Sequence, residues 1–147
     1  FSKEKGGGVH FDLSHELDYL IWIFGDIKKF KSFLSKNANI TKNSNDIFYI
    51  NGFLKNGSSF QLTLTYFSKF ERRELQVDLL KKSYLMDFYK NILLVNDINT
   101  NSKIIKYHNH LKETFLLMHK DILFNNKPKI AASLMDGLKL LKILNQR

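Results

Sequence analysis

Gly6-Gly7-Gly8-Val9-His10-Phe11-Asp12-Leu13-Ser14-His15-Glu16-Leu17-Asp18-Tyr19 is the stretch on which the reading of this chain turns. Three glycines run directly into an apolar segment that carries His10, His15, Asp12, Glu16 and Asp18. Glycine loses more backbone freedom on ordering than any other residue, so a triplet marks a place where side chains would obstruct. Beyond it, Leu13, Leu17, Leu20, Ile21 and Phe24 recur at helical spacing, which predicts a helix over Val9 to Phe24 with Gly25 as its stop. The first turn of such a helix leaves backbone N–H groups open to an anion or polar ligand. The stripe is broad, so Trp22 and Phe24 are predicted to pack against a sheet. A glycine hinge, a helix start and a titratable cluster together predict the floor of a site.

His15 is the best single candidate for chemistry, because an imidazole exchanges a proton near neutral pH. Asp12 and Asp18 lie three residues to either side, about 60° around a continuous helix, so the three side chains can converge. That arrangement suits a base with an orienting carboxylate, or a grip on the hydroxyls of a polyol. Local stabilisation of the helix, with Asp12 near its positive end, explains the same spacing, and spacing alone leaves the two readings open. His10 is a weaker candidate. His108 and His110 flank Asn109 in a predicted loop, and His119 lies beside an apolar stripe. The histidines show no H-E-x-x-H or similar metal-ligand spacing, and no metal is expected. No G-x-G-x-x-G, phosphate loop or G-x-S-x-G occurs. Arg72-Arg73 reads as a strand-end ion pair rather than an anion site.

Downstream of Gly25 the pattern changes from helical to alternating. Ile27 to Leu34 and Ile47 to Leu54 read as strands separated by the polar stretch Lys36 to Asp46. Lys55-Asn56-Gly57-Ser58 predicts a two-residue hairpin. Phe60, Leu62, Leu64 and Tyr66 then alternate with Gln61, Thr63 and Thr65, one face buried and one polar. Further strands are predicted at Glu74 to Leu79, Tyr84 to Phe88, Ile92 to Val95 and Lys103 to Tyr107, with a turn from Asn96 to Ser102. Leu111, Phe115, Met118 and Ile122 form a helical stripe, Asn125-Asn126-Lys127-Pro128 breaks it, and Leu134, Leu138, Leu141 and Leu144 form another. Helix, run of strands, then two helices gives the fold class: α+β, an open, mostly antiparallel sheet with helices packed on one face.

A chain of 147 residues is expected to form a single domain with a real core. Hydrophobic residues at 44% and charged residues at 25% fit a soluble globular protein, and no apolar run is long enough to span a bilayer. Without cysteine there is no disulfide framework or thiol nucleophile, which is compatible with a cytoplasmic location. The net charge of +9 comes from lysines scattered singly and in pairs, such as Lys28-Lys29. That is the pattern of a solvated basic surface, and neither nucleic acid nor membrane is expected as a partner.

The run from Gly6 to Gly25, with its glycine triplet, Ser-His-Glu-x-Asp core and closing Trp-x-Phe-Gly, resembles the start of the C-terminal domain of the Gfo/Idh/MocA oxidoreductases. This is the glucose–fructose oxidoreductase and inositol dehydrogenase family. Lys127-Pro128 and Ser133 to Leu141 with Asp136-Gly137 are similar to the family's last helix. The resemblance implies that residues 1–147 are the C-terminal substrate and oligomerisation domain, and that the N-terminal Rossmann domain binding NAD or NADP lies outside this chain. The start at Phe1, and the lack of the dinucleotide fingerprint and the family's Glu-Lys-Pro lysine, agree with that, and this fragment alone is expected to be inactive. His15 then matches the catalytic histidine that takes the hydroxyl proton. Asp12 is a second catalytic candidate, Asp18 and His10 are substrate-binding candidates, and Gly6, Gly7 and Gly8 lie near the cofactor. The family often has its aspartate four residues before the histidine; here Phe11 stands there and Asp12 is three before. The implied substrate is a sugar, polyol or nucleotide sugar, and the open sheet face implies a homo-oligomer. A non-catalytic sugar-binding or oligomerisation module from the same family is the alternative.

Overall fold

In the computed structural model, residues 7–37, 44–108, 111–125 and 129–146 are described. Along the chain run α1 (Val9–Asp12), α2 (Ser14–Phe24), β1 (Ile27–Ser35), β2 (Ile47–Leu54), β3 (Ser59–Thr65), β4 (Glu74–Asp78), β5 (Lys82–Asp87), β6 (Ile92–Asp97), β7 (Thr100–Lys106), α3 (Leu111–Phe124) and α4 (Leu134–Asn145). The class is α+β with antiparallel strand pairing throughout the described sheets, as the sequence predicts. The strands sort into two sheets, β1-β2-β3 and β4-β5-β6-β7. The chain divides accordingly, the first unit running through Phe67 and resuming at Ala132, the second being Ser68–Ala131.

In the first unit, the period-two alternation of β2 and β3 turns Phe48, Ile50 and Leu64 to one face, where Val9, Leu17 and Leu144 meet them. Helices α1, α2 and α4 therefore cover that face. Phe48, Leu17 and Ile50 are almost wholly buried, each contributing roughly 1.5–3 kcal/mol of transfer free energy. Register places Phe33 beside Tyr49, and Tyr49 beside Thr63, on the opposite face. The hairpin loop has three residues rather than two: the Leu54 N–H donates to the Ser58 carbonyl (2.8 Å), and Gly57 occupies the left-handed region at φ 92°. A register shift between Ile27 and Lys29 marks a bulge in β1. It brings the Lys29 carbonyl within 2.1 Å of where a side-chain carbon at Gly52 would sit.

The predicted helix over 9–24 is broken at Leu13, whose φ of −106° and ψ of 25° fall in the sparsely populated bridge region. The two pieces have separate anchors. The Val9 N–H donates to the Asn45 carbonyl (3.0 Å), whereas α2 is held by Leu17 and Leu20 in the core. Trp22 does not pack against a sheet; it is 66% exposed, because the buried stripe of α2 runs through Leu17, Leu20 and Ile21 instead.

In the second unit, four strands form a meander in chain order. The turn predicted over 96–102 shortens to Ile98-Asn99, where the Asp97 carboxylate accepts the Asn99 N–H at 3.0 Å. At the end of α3, the Asp121 carboxylate accepts the N–H groups of Lys129 (2.7 Å), Ile130 (2.6 Å) and Ala131 (3.1 Å) and the side-chain amide of Asn125 (2.7 Å). No helix among the described residues is long and apolar enough to cross a membrane.

Candidate functional site

The predicted residues lie on α1, α2 and the glycines ahead of them, with Gly6 outside the described residues. Gly7 and Gly8 are buried. Gly8 has φ 138° and ψ 151°, a conformation open essentially to glycine alone, and a side-chain carbon there would lie 3.1 Å from His10 Cε1. The His10 ring is only 6% exposed and packs at 4.1 Å from the Phe11 ring and 5.7 Å from the Phe48 ring, centroid to centroid. His10 is therefore placed inside the first unit's packing, under Gly8. The Val9 N–H, expected to be open to a ligand, is taken by Asn45.

His15 lies at the start of α2 with its side chain 54% exposed, and its Nε2 is 3.1 Å from Glu16 Oε1. Glu16 itself is almost buried. Asp12 is exposed, and its Oδ2 accepts the phenolic O–H of Tyr66. The 60° projection of Asp12 onto His15 assumed one continuous helix, and the break at Leu13 removes that basis. Burial pushes the Asp18 carboxyl above its ordinary range, the charge of Asp136 adds to the shift, and His15 opposes it. His15 on the same helix and Asp136 at the start of α4 are thus both near enough for their charges to act on Asp18. There Asp136 closes a capping box, accepting the backbone N–H (3.0 Å) and the hydroxyl (2.7 Å) of Ser133.

Three contributors went unassigned at the sequence level: Glu16, Asp136 and Tyr66. Tyr66 reads in sequence as the last apolar member of an alternating strand. Its only signal is the polar tip a tyrosine carries, which needs a partner when the ring is partly buried. Among the described residues no group of three or more His, Asp or Glu side chains gathers as a metal site.

An α+β domain with a half-exposed histidine and two carboxylates at a broken helix is a scaffold suited to proton-transfer or polyol-binding chemistry. The sequence model of an oxidoreductase family's C-terminal alpha/beta domain, that of Gfo/Idh/MocA, matches residues 2–92. This chain belongs to that family. No curated protein matches the chain by sequence. Among solved structures, UDP-N-acetylglucosamine 3-dehydrogenase GnnA from Acidithiobacillus ferrooxidans is similar at TM-score 0.75 and 15% identity, over 92% of this chain and 44% of that one. An NAD binding oxidoreductase from Klebsiella pneumoniae is similar at TM-score 0.77 and 12% identity, over 95% of this chain and 47% of that one. A protein described as an NADPH-dependent oxidoreductase, from Desulfitobacterium hafniense, is similar at TM-score 0.71 and 12% identity, over 92% and 43%. At these identities the likeness is one of fold, and the chain spans less than half the length of each of the three.

Proposed function

We propose that this chain is the substrate-binding and catalytic half of an NAD(P)-dependent oxidoreductase acting on a sugar, polyol or nucleotide sugar, with His15 taking or giving the hydroxyl proton. The observation that carries the reading is the half-exposed His15 ring at the start of α2, with Glu16 Oε1 3.1 Å from its Nε2, in a member of this oxidoreductase family. Interconverting an alcohol and a carbonyl needs a proton acceptor within about 2.6–3.2 Å of the hydroxyl. The exposed ring can reach a substrate, while Asp12 provides a second carboxylate and Asp18 a site for sugar hydroxyls. A nicotinamide supplies the hydride chemistry when bound. The proposed nearness of Gly7 and Gly8 to it rests on family resemblance, because the space beside Gly8 is filled by the His10 ring. NAD or NADP is therefore assigned mainly to a dinucleotide-binding domain of the full-length protein. The lack of cysteine accords with a cytoplasmic location.

Turnover by the full-length protein, with NAD or NADP and a panel of sugars and nucleotide sugars including UDP-N-acetylglucosamine, tests the reading. His15→Ala is expected to lower kcat by roughly 10²–10⁴-fold. Near-normal turnover removes His15 from the mechanism.

The second reading is a non-catalytic sugar-binding or assembly module, favoured by the exposed aromatic side chains on the outer face of the first sheet. There Phe33, Tyr49 and Phe53 are substantially exposed, and Lys29 Nζ lies 4.9 Å from the centre of the Phe53 ring. Sugar binding by calorimetry without turnover under either cofactor selects this reading. Both readings include a homo-oligomer formed through that face.

A further inference from the structure

We infer that Tyr66 is a positioning residue for the proposed site, its phenolic O–H holding the Asp12 carboxylate in place at the α1–α2 break. This rests on the reading of Asp12 as part of the catalytic machinery. The geometry reaches beyond one hydrogen bond. Tyr66 follows β3, and its backbone N–H donates to the Asp46 carbonyl at 3.1 Å. The neighbouring Asn45 carbonyl accepts the Val9 N–H at 3.0 Å, so one two-residue segment holds both the start of α1 and the backbone of Tyr66. Tyr66 packs against the first unit's buried core cluster, which includes Val9, Phe48 and Leu64. Asp46 is itself fixed: it is fully buried, its N–H donates to the Ser35 carbonyl (3.0 Å), and its carboxylate accepts the Asn37 N–H at 2.9 Å and 3.1 Å. The phenol is thus carried on a rigid base, fifty-four residues away in sequence from the carboxylate it meets.

Asp12 needs such a tie. It ends a helix of four residues, which has almost no stability of its own, and it precedes a residue in the bridge region. Without the phenol, its side chain is exposed and samples several rotamers. The donor is permanent over the working pH range: burial, then the hydrogen bond to Asp12 and its charge, push the phenol above the ordinary tyrosine value. A displacement of about 1 Å in a reacting group is enough to cost up to a hundredfold in rate, so the tie has kinetic consequences.

Two variants of the full-length protein test this, with thermal unfolding as a check on folding. Tyr66→Phe keeps the ring and removes only the hydroxyl; Asp12→Asn keeps the shape and removes the charge. With ¹³C-labelled tyrosine, Asp12→Asn is expected to let Tyr66 ionise at lower pH while the other tyrosines are unmoved. An unmoved Tyr66 titration overturns the pairing whether or not the protein is an enzyme. In turnover of the panel substrate that shows His15 dependence, Tyr66→Phe is expected to lower kcat about ten- to a hundredfold with little change in KM. The double variant Tyr66→Phe, Asp12→Asn is expected to be no slower than Asp12→Asn alone. Losses that multiply instead mean that Tyr66 acts only as general structural support, which overturns the inference. Full turnover by His15→Ala fails the functional reading separately, and the Tyr66 titration still decides the pairing.

Discussion

At the scale of single residues, Gly8 and His10 form one unit of packing. A residue with a side chain at Gly8 meets two independent penalties, the backbone conformation at φ 138° and the His10 ring 3.1 Å away. Gly57 also has a positive φ, of 92°, but nothing lies within 4 Å of the position its side chain would take. Gly57→Ala therefore carries only the backbone penalty, roughly 1–2 kcal/mol. Gly8→Ala is expected to cost more, up to about 3 kcal/mol from the backbone alone, before the ring contact is added. Urea unfolding of the two variants compares them directly, and equal losses would overturn both the larger backbone penalty at Gly8 and the contribution of the His10 ring. The demand for glycine was legible in the triplet, but its cause was not. Sequence spacing cannot tell that a histidine two positions on folds back over the same backbone, since that depends on where Asn45 and Phe48 hold α1.

At the scale of elements, the strands were the most legible part, because a two-residue period survives wherever one face is buried. The predicted span Ile47 to Leu54 coincides with β2, and the polar face of β3 is where the alternation put it. Helices were legible in extent and less so in orientation. The stripe through Phe115 and Ile122 predicts a buried face for α3, yet both side chains are about half exposed. The Leu13 break left no composition signal, because no glycine or proline marks it. α3 ends at Phe124, just before the Asn125 break the sequence predicts, and the segment that follows is tied to Asp121, a buried carboxylate receiving three backbone N–H groups. The Ile130 N–H first, with the other donors, holds the Asp121 carboxyl below the usual range, against the opposing effect of its burial. A carboxyl depressed in the folded state stabilises it above the unfolded value of about 3.9, and that contribution is lost as pH falls through the folded value. Protection of the Lys129, Ile130 and Ala131 amides, relative to their intrinsic exchange rates, is expected to fall in strong acid, and in Asp121→Asn to be lost already at neutral pH. Unchanged protection in the variant would show that the segment is held by other contacts.

At the scale of the whole molecule, the family and the α+β class were legible from one helix and the order of elements, because that helix carries both the core stripe and the titratable cluster. The sorting of the seven described strands into two sheets was not: each paired strand lies beside its neighbour in sequence, and nothing in the alternation marks β3 and β4 as the consecutive strands that belong to different sheets. The outer face of the first sheet gives the proposed oligomer its test. Phe33, 61% exposed, has its ring 6.4 Å from that of Tyr49 across the strand pair. Phe33→Glu is expected to shift the protein to monomer in light scattering at micromolar concentration, with its unfolding midpoint little changed. A wild-type monomer would remove that face as an interface. The kink at Leu13 also bears on how such a site can drift in evolution. In an unbroken helix, gaining or losing one residue swings everything beyond it by about 100°. A joint that has already left helical geometry absorbs that change locally. The interval between an aspartate on one side and a histidine on the other can then vary among relatives while Leu17 and Leu20 stay seated in the core.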